Sequence, residues 1–184
     1  MNVSLMSLWL PIVLSAAIVF IASSLIWMVV QYHNSEWNQL PDEAAARSAL
    51  KGTAPGQYSV PHAATAADRN NPEWQEQYKA GPVAMLVVIP HGSLAMGKQL
   101  TQWIIYCLLA SVLVAYVTSI ALTAGANYPE VFRVAGTVAV LTYSGAVPIK
   151  AIWFGHTWSS TAKDALDGLI YGLLTAGVFG WLWP

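Results

Sequence analysis

Charge is scarce in this sequence. Asp, Glu, Lys and Arg make up 9% of its 184 residues, against roughly 25% in ordinary soluble domains. The deficit is also uneven. Residues 7–31 and 99–129 carry no charged side chain, whereas residues 36–79 hold ten of the seventeen. A soluble fold needs charge along every helix that meets water, so two long uncharged stretches exclude it and point to lipid as the solvent. Cysteine is nearly absent. A lone Cys107 excludes an intrachain disulfide, and its apolar surroundings suit a small core residue better than a reactive thiolate. The net charge of −1 offers nucleic acid no attraction. Phosphate loops, glycine-rich dinucleotide turns, cysteine pairs and Gly-x-Ser-x-Gly elbows are all missing. No cofactor is identifiable and no catalysis is expected. The first residues lack a basic stretch, and the apolar run behind them exceeds the 7–15 residues of a signal-peptide core, so a retained anchor helix is expected.

What is abundant is apolar, at 56% of residues. The expected fold is an all-α membrane protein: a four-helix transmembrane bundle with a small mixed α/β polar loop domain between spans one and two. Residues 1–31 form the N-terminal transmembrane helix, 32–98 the polar loop, and 99–184 a three-helix region with spans near 100–123, 131–154 and 165–183. A helix of about 20 residues crosses a hydrocarbon core of about 30 Å. In span one, Trp9 and Trp27 lie where indole rings favour the headgroups, as do Trp103 and Tyr106 at the start of span two. Ser111, Ala115 and Ser119 would line one face of span two. Ala124–Pro129 reads as a tight turn.

Span three is the weakest. Its uncharged centre, Val134–Ile149, has 16 residues, Pro148 should kink it, and a re-entrant segment is the alternative. Span four is expected to be capped by Ser159, Ser160 or Thr161, with Asp164 completing a capping box. In the loop, Pro41-Asp42-Glu43 opens a short helix to about Leu50 and Gln57–Val60 reads as a strand. Asn70-Asn71-Pro72-Glu73 starts a second helix to about Lys79. Val83–Ile89 suits a strand or a stretch dipping into the membrane interface.

Orientation follows from basic residues. With four spans, Arg47, Lys51, Arg69, Lys79, Lys98, Lys150 and Lys163 share one side, and only Arg133 lies opposite. The positive-inside rule makes that side cytoplasmic and places both termini outside. Lys98, Lys150 and Lys163, close to span ends, carry most of the weight.

Three patterns bear on function. Gly168, Gly172, Ala176 and Gly180 repeat every four residues and form a stripe that admits another helix at close range. The partner is either a helix of the same chain or a second copy or other membrane subunit. Asp164 and Asp167 stand near the start of span four, with Lys150 on the same side as a possible partner. An intramembrane acid suggests function, but an acid at a helix N-terminus is stabilised by the dipole and needs no other role. Glu130 and Arg133 form an expected i,i+3 pair. The histidines His33, His62, His91 and His156 all fall on one face. Their spacing matches no metal signature, so surface histidines are the plain reading and a shared metal or proton-handling site the sharper one.

The run Asp167-Gly168-Leu169-Ile170-Tyr171-Gly172-Leu173-Leu174-Thr175-Ala176-Gly177-Val178-Phe179-Gly180-Trp181-Leu182-Trp183-Pro184 resembles uncharacterised bacterial inner-membrane proteins of about this length. Leu40-Pro41-Asp42-Glu43 and Pro55-Gly56-Gln57-Tyr58 add to the likeness. The resemblance implies a bacterial inner-membrane setting and carries no activity. On the residues themselves, the first expectation is an accessory, assembly or self-associating subunit, its partners the bilayer and a homo-oligomer or other membrane subunit. A small dimeric transporter or channel comes second. A metal-binding protein or enzyme using loop histidines comes third.

Overall fold

The computed structural model describes residues 3–92 and 95–184. The chain divides into two units. One comprises residues 1–37 and 95–184, the other residues 38–94.

The larger unit is helical. A short 3₁₀ turn, Leu5–Leu8, leads into α1 (Trp9–Leu25), which continues as one turn of π-helix, Ile26–Val30. A second 3₁₀ turn follows at Tyr32–Glu36. After the smaller unit come α5 (Gly97–Ala121), α6 (Tyr128–Ser144), α7 (Val147–Phe154) and α8 (Trp158–Trp181). Three segments are long and apolar enough to cross a membrane: Leu5–Val30, Gly97–Ala121 and Tyr128–Phe154. They match the first three expected spans to within a few residues. Helix α8 is 24 residues long but is not among them, because Lys163, Asp164 and Asp167 lower its apolar content.

Packing in this unit relies on small residues. Ser15 and Ala16 of α1 are buried together with Ser111 and Ala115 of α5, and the Ser15 hydroxyl lies 3.0 Å from that of Ser111. Each hydroxyl also bonds a carbonyl one turn back, so neither is left unpaired at depth. Ser119, expected on this face, is only half-buried, and Thr118 takes the inner position. Leu8, Val114, Val131, Ala135, Ala139 and Phe179 form one buried cluster, and Ala16, Val19, Ile26, Cys107 and Tyr171 another.

The glycine stripe of α8 lies against α6, inside the chain. A methyl group added at Gly168 would sit 3.1 Å from Ser144 Cβ, and one at Gly172 would sit 2.9 Å from the Val140 backbone nitrogen. At Gly180 it would meet the Tyr128 ring at 2.8 Å. Ala176 faces Gly136, where a Cβ would meet the Ala176 methyl at 3.1 Å. Helix α8 therefore presents a small residue every fourth position to α6, and the two helices run antiparallel at close range. The far end of α8 is pinned by the Trp183 indole, which donates to the Thr123 carbonyl at 3.0 Å, and by Gly125 N–H to the Pro184 carbonyl at 2.7 Å.

Five sequence expectations need correction here. Span three is broken between Ser144 and Val147 rather than kinked at Pro148, because proline clashes with the carbonyl four residues before it, which is that of Ser144. Helix α8 begins at Trp158, not near Ala165. Its N-cap is Thr157, whose hydroxyl accepts from Ser160 N–H at 3.1 Å, so Thr161 and Asp164 do not form the cap. Glu130 forms a capping box with Asn127, the use its first-turn position favours over an ion pair with Arg133. The polar segment starts at residue 38 rather than 32, because Tyr32, His33 and Glu36 bond to α8.

The smaller unit holds α2 (Glu43–Ala49), β1 (Gly56–Val60), α3 (Ala66–Arg69), α4 (Pro72–Ala80) and β2 (Ala84–Val88). Asp42 caps α2, Thr65 and Asp68 form a capping box on α3, and Asn71 with Pro72 opens α4. The strands pair antiparallel, Gly56 opposite Val88 and Val60 opposite Ala84.

Candidate functional site

The site begins with a reversal of the chain. After the π-turn, Gln31 adopts the left-handed conformation (φ 56°) and its N–H bonds the Ile26 carbonyl at 2.8 Å. A non-glycine residue there is uncommon and points to a local constraint, and π-turns recur at functional sites. The Gln31 amide also donates to the Met28 carbonyl. The turn sends Tyr32, His33 and Glu36 back against α8.

His33 is the second observation. It is 1% exposed, and both ring nitrogens face carboxylates. Nδ1 lies 2.7 Å from Glu36 Oε1 and Nε2 lies 3.2 Å from Asp167 Oδ2. Trp27 stacks on the imidazole at 4.1 Å and 3°, and the Tyr32 ring stacks on it at 4.5 Å and 29°. Asp167 is buried and accepts from the Tyr32 hydroxyl and, at 3.2 Å, from the Tyr171 hydroxyl. Glu36 accepts from Ser160 Oγ at 2.6 Å. Lys163 Nζ lies 3.7 Å from Glu36 and donates to the Tyr32 carbonyl and Ser35 hydroxyl. Ser160, Lys163, Asp167 and Tyr171 recur at three- and four-residue steps, so one face of α8 supplies its whole share of the cluster.

The chemistry follows from counting donors. A neutral imidazole offers one N–H and one lone pair, an imidazolium two N–H groups. Two ionised carboxylates satisfy only the imidazolium. Alternatively, a neutral ring is satisfied when one carboxyl group holds a proton. The ring therefore bridges Asp167 and Glu36, one nitrogen toward each, the arrangement that a proton relay requires. With His33 charged, the cluster of Glu36, Asp167, His33 and Lys163 sums to zero. Glu36, outside the spans, shows the effect of these neighbours. Burial pushes its carboxyl up, but the Ser160 hydrogen bond, His33 and Lys163 outweigh it and hold the group below the usual carboxylate range.

Next to this cluster lies a cavity of about 560 Å³, within the size of small-molecule sites. Asp167 and Tyr171 belong to its wall as well as to the cluster. Trp27, Trp103, Tyr106 and Tyr143 supply further aromatic surface, and Lys150 and Asp164 approach from α7 and α8. The Trp103 indole donates to Ser23 Oγ at 2.7 Å. The Tyr143 hydroxyl is buried, with Cys107 beside it.

Of the residues singled out from the sequence, His33 and Asp167 meet in the cluster, and Asp164, Lys150 and Gly168 meet in the cavity wall. Lys150 forms no ion pair with either acid among the described residues. Gly172, Ala176 and Gly180 continue along the α6 contact. His156 is exposed in the α7–α8 connection, its N–H on the Lys150 carbonyl. His62 and His91 belong to the smaller unit and are exposed, His62 lying 3.3 Å from Ser59 Oγ. Among the described residues, no group of three or more His, Cys, Asp and Glu is arranged to hold a metal ion. Glu36, Tyr32, Lys163 and Tyr171 escape sequence reasoning. The one available signal was local, His33 and Glu36 three apart at the end of an apolar span.

No family model, curated protein or solved structure matches the chain.

Proposed function

We propose that this chain is a small, proton-linked membrane carrier, with the cavity as its binding site and Asp167, His33 and Glu36 as the path for the proton. The observation that carries this reading is the buried imidazole held between two carboxylates, one of which lines the cavity. Asp167 stands on a helix that this reading places in the membrane, where ionisable groups are costly and mark ion pathways and proton relays. The earlier case for setting Asp167 aside also weakens. It is the tenth residue of α8 rather than a first-turn acid, and the helix dipole acts only over the first turn.

The same reading takes α8 as a fourth crossing, completing a four-helix bundle. Its contacts with α1, α6 and α7 support this, as does the loss of two apolar faces if α8 left the bundle. Basic residues favour a cytoplasmic position for residues 38–94, with both termini outside, in a bacterial inner membrane. An accessory or self-associating role drew its support from the glycine stripe. With that stripe occupied by α6, the carrier reading moves ahead of it.

The test is transport in vesicles that contain a pH-sensitive dye. Organic cations, anions and neutral solutes are added outside in turn. At least one class is expected to drive a change of internal pH that empty vesicles lack. His33→Gln should abolish that change and His62→Gln should not. If no class moves the internal pH beyond empty vesicles, the proposal is wrong.

A further inference from the structure

The cavity has a composition that selects one class of ligand. We infer that it binds an amphipathic organic cation, seated among the aromatic rings with its charge toward Asp167 and Asp164. The inference rests on the carrier reading and adds the substrate class to it.

The walls carry the argument. Trp27, Trp103, Tyr106, Tyr143 and Tyr171 surround the space, and aromatic faces attract cations, more strongly where water is excluded. A volume of about 560 Å³ takes a molecule with several rings, not a bare metal ion or ammonium. Asp164 and Asp167 stand three residues apart on one face of α8 and both reach the cavity, so one wall carries two carboxyl groups. The Tyr143 hydroxyl, buried beside Cys107, adds a polar group on the opposite helix. Lys150 is the opposing term. It is exposed and its long chain lets the ammonium turn out to the interface, so it weakens cation binding without preventing it.

The link to protons follows from the cluster. Asp167 faces His33 and Tyr32 from the 3₁₀ turn, with Glu36 behind them. The cavity wall it belongs to adds Asp164 and Tyr171 from its own helix, Lys150 from α7, Tyr143 from α6 and Tyr106 from α5. The π-turn contributes only the uncharged Trp27. When a cation settles against Asp167, the proton shared with His33 becomes surplus and leaves through Glu36 to water. One positive charge enters and one departs. Affinity must therefore rise with pH, because ligand and proton compete.

Tetraphenylphosphonium and tetraphenylborate have the same shape and opposite charge, which makes them a discriminating pair. Binding to the purified chain in detergent is followed by tryptophan fluorescence and by proton release in unbuffered solution. The phosphonium is expected to bind, more tightly at about pH 8 than at about pH 5.5, with a proton released. Asp167→Asn should weaken it about tenfold and flatten its pH dependence. Because that variant removes a buried partner, Lys150→Gln serves as the second probe. It leaves the cluster untouched and should strengthen binding severalfold. Preference for the borate, no binding of the phosphonium, or weaker phosphonium binding in Lys150→Gln overturns the ligand class. A dye-filled vesicle response to some other solute that still depends on His33 would then leave the carrier reading standing. Phosphonium binding that is independent of pH and releases no proton would keep the ligand class and remove the proton link.

Discussion

At the scale of single residues, the buried cluster makes strong demands on its partners. Removing one member of a buried charged pair costs about 3–5 kcal/mol, mostly because the survivor stays buried and unpaired. Asp167→Ala is therefore expected to lower the unfolding free energy in detergent by about that amount. Asp167→Asn, which retains hydrogen-bonding capacity, should cost less. Thermal unfolding of the two variants side by side checks the order. Glu36 gives a pH signature. Its carboxyl is held below the ordinary value, so it contributes stability above the pH where an unfolded glutamate titrates. That contribution is lost as pH falls through the lowered folded value. Unfolding midpoints followed downward from neutral pH should show this loss in the wild type and a shallower fall in Glu36→Gln.

At the scale of elements, the contact of α8 with α6 separates glycines that are needed from one that is not. A methyl at Gly172 collides with Val140 backbone, whereas one at Gly177 meets only Tyr128 Oη at an ordinary 3.8 Å. Gly172→Ala should force the helices apart and reduce thermal stability. Gly177→Ala should be neutral or gain up to about 1 kcal/mol, since alanine is the better helix former. Melting curves of the two single variants test the pair. Several elements were legible because they carry strong local signals. Asp42 before Glu43 and Asn71 before Pro72 announce α2 and α4. Val83–Ile89 between two prolines announces β2, although the observed strand is shorter, Ala84–Val88. The start of α8 was not legible. Gly155, His156 and the polar run Ser159 to Asp164 read as a loop, yet Thr157 caps a helix whose first two turns lie outside the apolar pattern.

At the scale of the whole molecule, the apolar runs marked the three helices long and apolar enough to cross a membrane. What they could not tell is which distant polar residues meet. His33 and Asp167 are 134 residues apart, and no pattern confined to one helix connects them. Trp27 and Trp103 looked like interface anchors because their positions at span ends explained them fully. Stacking on an imidazole and bonding a serine are tertiary facts. Membrane sidedness remains open to a direct measurement. In a Cys107→Ser background, single cysteines at His62, His156 and Ala124 can be labelled with an impermeant reagent. Cysteines at 62 and 156 are expected to react from one side and the cysteine at 124 from the other. Labelling of all three from the same side would contradict four crossings.

The separation of His33 from Asp167 also sets a timetable for synthesis. At about 5–20 residues per second, a ribosome needs roughly 7–27 seconds to travel from the first of these codons to the second. Throughout that interval the nascent chain carries an imidazole and a glutamate with no acid from α8 to meet them. A message cut short before α8 would leave that condition permanent.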